Sequence, residues 1–381
     1  MTDYIPNRHR GLYPLDPSGL IGRAREELET PVLVVDLDVF EANIECLAAF
    51  CRTHQTAWRP HSKANKCPEI ARRQLAAGAC GITCAKVSEA ELMVNAGIDD
   101  ILLANQLTDT ARQQRLAQLQ RRARVIGVCD DEIAVAGLAA AARHAGVTVP
   151  VLVDVDVGLE RTGTAPGAEG VAVARAIDRA EGLELLGLMG YEGHVLNMTP
   201  PAAKVAACVE AMDQLVMTRD AIAAAGMCAD VVSAGGTGSF EITAAHEGIT
   251  ELQAGGGIFM DAMYRDAFHV TEDLGLALTC LTTVTSRKRD RVVVDAGFKT
   301  LSAFHHPPRA LGRDDLELQY LSAEHGVFAV QPGGDGPRLG DRLELLVGYS
   351  DSTTFMHDFM VGTRNGRVET VFEIAGRGLL V

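Results

Sequence analysis

Positive charge is scarce in this sequence. Its 381 residues carry 35 Lys and Arg against 50 Asp and Glu, a net charge of −15. Nonspecific binding to nucleic acid or to anionic membranes needs a basic surface, so both are excluded as partners. Aromatics make up only 5%. With Ala and Gly plentiful, that suits close helix–strand contacts better than a β-sandwich. No Cys-x-x-Cys pair occurs, and the nine cysteines are odd in number and scattered. They are expected to be buried free thiols in a reducing, cytoplasmic setting. Met1–Arg8 lacks a signal-peptide apolar core. No uninterrupted apolar run reaches the length of a membrane span.

What is present is a chain that is 47% hydrophobic and long enough for one large α/β domain and a smaller one. Thr30–Asp36 is an apolar run of strand length, and Asp38 looks like the N-cap of a helix over Val39–Cys51. Strand and helix patterns then alternate for two hundred residues. Helices are expected over about 68–77, 109–122, 131–145, 167–181 and 200–225, and Ser88 to Glu91 has the capping-box form. Counted from Ala57-Trp58, the pattern contains eight strands, which predicts a (β/α)8 barrel over 26–268. Beyond about residue 270, short strands separated by turns, with Asn365-Gly366 as a two-residue hairpin signal, predict an all-β domain over 269–381. Residues 1–25 are expected to pack on that domain.

The stretch Trp58-Arg59-Pro60-His61-Ser62-Lys63-Ala64-Asn65-Lys66 ends the first of these strands. A lysine there sits where barrels build active sites. Partial burial, with Arg59 and Lys66 nearby, would disfavour the ammonium form and make the amine nucleophilic. The alternative is a solvated basic loop. Ser233–Ser239 follows the seventh strand and Gly255-Gly256-Gly257 the eighth, the positions at which barrels hold phosphate. Glycines there let backbone N–H groups close on an anion, and a following helix adds its dipole. With Lys63 on the first strand, these loops point to pyridoxal phosphate. Arg161, after the fifth strand, either holds the cofactor's phenolic oxygen or is a solvated loop arginine.

The motifs Thr-Pro-Val-Leu-Val-Val-Asp, Arg-Pro-His-Ser-Lys-Ala-Asn-Lys, Lys-Val-Ser-Glu-Ala-Glu at 86–91, Ser-Ala-Gly-Gly-Thr-Gly-Ser and Asp295-Ala296-Gly297-Phe298-Lys299 resemble fold-type III pyridoxal-phosphate enzymes. Within them, the chain is most similar to the D-threonine aldolase, D-3-hydroxyaspartate aldolase and D-serine dehydratase family. Glu324-His325-Gly326 and His357-Asp358 also match. The resemblance implies an alanine-racemase-like barrel with a C-terminal β domain, working as a homodimer whose sites lie near the subunit interface. It implies Lys63 as the Schiff-base lysine and Arg161 near the phenolic oxygen. Gly236, Thr237 and Gly238 match the phosphate loop, and Gly256 and Gly257 its second half. Gln253 takes the place facing the pyridine nitrogen, and Tyr191 lies at the pocket.

The departures bear on the reaction. The family carries a divalent metal on a His-x-Asp or His-x-Cys pair. Here Tyr349 stands for the histidine, and Asp351 keeps a single ligand position, so the metal is doubtful. Asn65 and Asn197 stand where the family has histidines, and His194 is new. Family weight favours an aldolase or lyase acting on small D- or β-hydroxy amino acids, with His61 or His194 as a candidate base. A racemase or epimerase, with Lys63 on one face of Cα and Tyr349 or His194 on the other, is the alternative. A noncatalytic pyridoxal-phosphate carrier is the third.

Overall fold

Two sheets share the chain, and the computed structural model describes residues 17–381 of it. Residues 1–16, with the signal-peptide reading made on them, lie outside the described part. The first sheet runs β2 (Ala57–Trp58), β3 (Ile82–Cys84), β4 (Asp100–Leu103), β5 (Arg124–Cys129), β6 (Val149–Val155), β7 (Leu183–Gly190), β8 (Val231–Ala234) and β9 (Glu251–Leu252). All neighbours are parallel, in the order β2-β9-β8-β7-β6-β5-β4-β3. A bridge between His61 and Thr83 joins β2 to β3 and closes the barrel. The helices between the strands are α2 (Pro68–Ala76), α3 (Val87–Asn95), α4 (Thr110–Leu119), α5 (Glu132–Ala145), α6 (Ala168–Arg179), α7 (Pro201–Ala224) and α8 (Phe240–Ala244). Strands such as β6 are buried along their whole length, as a sheet covered by helices requires.

The second sheet holds β10 (Leu278–Arg287), β11 (Arg291–Val294), β12 (Arg309–Ala310), β13 (Leu316–Leu321), β14 (Gly326–Val330), β15 (Arg342–Leu346), β16 (Phe359–Arg364) and β17 (Arg367–Glu373). One short helix, α9 (Ser350–Thr354), interrupts it. Asn365 and Gly366 both take positive φ in the β16–β17 turn, as a tight hairpin demands. Gly22 and Arg25 hydrogen-bond Val368 and Gly366, so residues 17–25 lie against this hairpin.

Three local readings are corrected. Val32–Asp36 (β1) falls inside the 26–268 span, yet it pairs antiparallel with β10 and parallel with β16 in the second sheet. An apolar run reads the same in either sheet, and only pairing partners distinguish them. The helix after it, α1 (Leu37–Thr53), is capped by Asp36 and not Asp38: Asp36 Oδ1 accepts from the N–H of Asp38 and Val39 at 3.1 and 3.2 Å. In α3 the Ser88–Glu91 pattern makes no capping box. Ser88 lies inside the helix, Glu91 pairs with Arg115 at 2.7 Å, and Lys86 is the cap residue.

The chain therefore starts in the second sheet and crosses to the barrel along α1. Phe40 on that helix stacks between Phe259, after β9, and Phe372 on β17, with ring centroids 5.9 and 5.8 Å away. Buried Asn43 stitches the crossing. Its Nδ2 donates to Gly275 O at 2.8 Å and Ile258 O at 3.2 Å, and its Oδ1 accepts Gly275 N at 2.7 Å. Among the described residues, no helix is long and apolar enough to cross a membrane.

Asn43→Leu keeps the volume but strands the buried polar groups of Gly275. Its unfolding free energy in a denaturant titration is expected to fall by about 1–3 kcal/mol. An unchanged value would remove Asn43 from the interdomain stitch.

Candidate active site

The C-terminal ends of the barrel strands enclose a cavity of about 320 Å³. Lys63, His61, Arg161, Tyr191, Gly236, Thr237, Gln253 and Gly256 all line it. Gly238 and Gly257 stand behind its wall, where Thr237 Oγ1 accepts Gly257 N at 2.9 Å and ties the two glycine loops together. The loops crowd the aromatics around them. A Cβ on Gly236 would come within 3.0 Å of the Tyr191 ring, and one on Gly256 within 2.5 Å of Tyr264 Oη. The N–H groups of Thr237, Gly238 and Gly256 have no hydrogen-bond partner among the described residues. α8 spans five residues, so the backbone amides carry the anion-binding capacity and the expected helix dipole contributes little.

Lys63 sits on a single 3-10 turn after β2, with its side chain 43% exposed. Its surroundings overturn the expected charge balance. Buried Arg59 turns away and binds Glu251 at 2.7 Å and Asp100 at 2.5 Å. Lys66 pairs with Glu89 at 3.6 Å. The group touching Lys63 Nζ is the carboxylate of Asp351. Burial alone would lower the amine, but Asp351 reverses this and holds it above its ordinary range as an ammonium.

Asp351 reaches Lys63 because α9 is tied to the barrel. Buried Asp261 accepts Tyr264 N at 2.9 Å and Ser350 N at 2.7 Å. Thr354 Oγ1 donates to Ala64 O at 2.9 Å. Tyr349 does not line the cavity itself; its ring lies 5.9 Å from that of Tyr264, which does, and 5.3 Å from His305. Burial and the neighbouring Asp351 push its phenol up, so it is a proton donor near neutrality. Asp351 Oδ1 is buried and has no hydrogen-bond partner.

The two candidate histidines fare differently. His61 faces the cavity, but its Nδ1 accepts Lys63 N at 3.3 Å and its ring also bonds the backbone of Thr83. Burial, with Lys63, Lys66 and Arg161 nearby, lowers its pKa and keeps it neutral. Its Nδ1 is thus occupied within the loop, which makes it a cap for the lysine turn. His194 does not line the cavity. It lies behind the Arg161 loop, where a Cβ on Gly158 would come within 2.9 Å of its Nε2. Buried Asn65 accepts Cys67 N at 2.9 Å and serves the start of α2. Asn197 is exposed.

Several residues at the site carried no motif. Buried Glu192 accepts Ser239 Oγ at 2.5 Å, Thr243 Oγ1 at 2.6 Å and Gly235 N at 3.4 Å, and so braces the first glycine loop from behind. Tyr264, Gln106 and Asp154 line the cavity. Asp154 accepts from Gln106 and from Thr162, the latter at 3.0 Å. Only the Tyr-Glu pair at the end of β7 and the carboxylate at the end of β6 could have signalled them, and acidic residues at strand ends are too common to single out.

Pyridoxal phosphate fits this arrangement. A primary amine, an unpaired arginine 5.6 Å over the Tyr191 ring, and two glycine loops with free amides surround one cavity. A divalent metal does not fit. Asp351 is taken up by Lys63, Tyr349 is a phenol, and no three His, Cys, Asp or Glu side chains converge among the described residues.

Burial pushes the Asp154 carboxyl up to about 6, against the hydrogen bonds from Thr162 and Gln106. Between about pH 4 and 6 the folded chain thus holds a proton that the unfolded chain has released. This contribution to stability is complete below the unfolded value and is lost as the pH rises through 6. Relative to the wild type, Asp154→Asn should gain up to about 3 kcal/mol between pH 4 and pH 7 in urea unfolding. Parallel pH profiles would contradict the assignment.

Comparison with known proteins agrees with the geometry. The alanine racemase N-terminal domain family matches residues 35–263, and the putative serine dehydratase domain family matches 277–363. A D-threonine aldolase of Arthrobacter sp is 38% identical over 366 residues, which cover 96% of this chain and 97% of that one. A 3-hydroxy-D-aspartate aldolase of Paracoccus denitrificans (strain Pd 1222) is 35% identical, over 95% and 96% of the two chains. The crystal structure of D-threonine aldolase from Filomicrobium marinum superposes with a TM-score of 0.91 at 34% identity, covering 95% of this chain and 99% of that one. These relatives favour a lyase over the racemase or epimerase alternative. The chain belongs to the alanine-racemase-like family of pyridoxal-phosphate enzymes, in its D-threonine aldolase and 3-hydroxy-D-aspartate aldolase branch.

Proposed function

We propose that the protein cleaves a small D-configured β-hydroxy amino acid to glycine and an aldehyde, as a cytoplasmic homodimer. The observation that carries this is the ion pair between the Lys63 amine and Asp351 Oδ2, which leaves the other carboxylate oxygen, Oδ1, buried and without a hydrogen-bond partner. When bound, the cofactor supplies an electron sink for the carbanion left at Cα.

The chain's own residues divide the remaining work. Lys63 holds the cofactor covalently. Gly236, Thr237, Gly238, Gly256 and Gly257 hold its phosphate, and Arg161, over the Tyr191 ring, faces its phenolic oxygen. Gln253 faces its ring nitrogen. Cleavage requires removal of the β-hydroxyl proton, and Asp351 Oδ1 accepts it. Tyr349, kept as a phenol, donates a hydrogen bond at the same place. On this reading the step uses the carboxylate beside Lys63 in place of the family's metal.

The test is a product screen on racemic β-hydroxy amino acids with chiral analysis. Glycine plus aldehyde, consuming only the D-isomer at Cα, is the expected result. An α-keto acid with ammonia, or the enantiomer alone, would overturn the proposal. Lys63→Ala should abolish the near-visible absorbance of the bound cofactor as well as cleavage. Asp351→Asn should keep the absorbance and lose about 10²–10⁴-fold in kcat. EDTA treatment should leave the wild-type rate unchanged.

A further inference from the structure

One polar network in the barrel ends at the cavity without being accounted for by the reaction. It begins at Arg59, which is 4% exposed and donates Nε to Glu251 Oε2 at 2.7 Å. The other oxygen, Glu251 Oε1, lies 2.7 Å from Ser233 Oγ. Ser233 Oγ in turn lies 3.0 Å from Gln253 Nε2. Arg59, Glu251 and Ser233 are all buried, and none of them lines the cavity. Gln253 does.

The direction of each hydrogen bond follows from chemistry. Arg59 has only donors, and a carboxylate only acceptors. Glu251 therefore takes a proton from Arg59 on one oxygen and from the Ser233 hydroxyl on the other. A serine has one hydrogen to give, so towards Gln253 it can only accept. An amide meets an acceptor with its nitrogen. Gln253 is thus locked with Nε2 on Ser233, and its Oε1 has no partner among the described residues. A flipped amide would set oxygen against oxygen with no hydrogen between them.

We infer that Arg59, Glu251 and Ser233 form a positioning relay that presents the Gln253 carbonyl oxygen to the cofactor's ring nitrogen and so selects a ring nitrogen that carries a proton. This rests on the reading of Gln253 as facing that nitrogen. An unprotonated ring nitrogen offers only a lone pair, which a carbonyl oxygen repels. A protonated one donates a hydrogen bond and makes the ring a stronger electron sink. Arg59, adjacent in sequence to the lysine loop, is given a task distinct from lowering the lysine's pKa.

The experiment titrates apoprotein with pyridoxal phosphate and with its 1-deaza analogue, in which a C–H replaces the ring nitrogen. Wild type should bind pyridoxal phosphate more tightly than the analogue. Ser233→Ala should weaken pyridoxal phosphate by about 5–10-fold and the analogue by less than about 2-fold. Ser233→Thr, which restores the hydroxyl, should regain the wild-type difference. Gln253→Met removes the acceptor without touching Glu251 and should erase the difference between the two compounds, and it decides the matter if Ser233→Ala does not fold. Equal weakening of both compounds, or of neither, overturns the relay. Retention of the difference in Gln253→Met overturns it as well. Failure of wild-type apoprotein to take up pyridoxal phosphate would overturn the cofactor reading itself, a separate outcome.

Discussion

The contact between Lys63 and Asp351 spans 288 positions of sequence and joins the two halves of the molecule at the cavity. One partner ends a barrel strand, and the other begins the helix that interrupts the second sheet. The cavity itself is lined by barrel residues, and the second unit adds Asp351 to it through Lys63. The geometry that brings them together is redundant, which a functional contact between separate units requires. Ala262 N and Met263 N bond Val347 O and Gly348 O at 3.0 and 2.9 Å, Asp261 holds Ser350, and Thr354 holds Ala64. Five consecutive positions, 347–351, are thereby laid along the segment that leaves the second glycine loop.

A second constraint is charge. A chain of net charge −15 must still offer cations to an anionic cofactor, and it does so by leaving few of them unpaired at the site. Arg59 and Lys66 sit within the lysine motif, yet both are neutralised by buried carboxylates. Arg161 is in no ion pair among the described residues and faces the Tyr191 ring. Lys63 is paired only with Asp351. Pairing of interior charges is the normal condition of their burial. Arg161 is exposed, so its lack of an ion pair is what a solvated arginine shows as well; its place in the cavity wall is what ties it to the pocket.

Much of this was legible in the residues alone. The eight-strand alternation, the two glycine loops and Lys63 are local patterns with regular spacing, and local patterns survive in sequence. What was not legible depends on partners far along the chain. The seam that closes the barrel is a single bridge between His61 and Thr83, which no local pattern announces. β1 reads as a buried strand but does not say which sheet buries it. β13 and β16 carry weak strand signals, since one exposes much of its surface and the other contains a glycine, so neither alternates clearly. The charge state of Lys63 has the same origin: the cations adjacent to it in sequence are consumed by Glu251, Asp100 and Glu89, and the decisive charge comes from Asp351.

The two halves of the site also differ in how they tolerate change. The barrel half is built from backbone: glycine amides, a tight lysine turn, and a loop braced from behind by Glu192. Few substitutions reach those groups without closing the cavity, since a single Cβ at Gly236 or Gly256 meets a tyrosine. The second half is built from the side chains of Tyr349, Asp351 and His305, each replaceable without loss of the barrel. Cofactor binding and the choice of bond to be broken are therefore separable. Tyr349 and Asp351 sit on the short stretch that α9 carries against the lysine turn, so a substitution there changes what faces Lys63 and leaves the backbone cradle of the barrel intact.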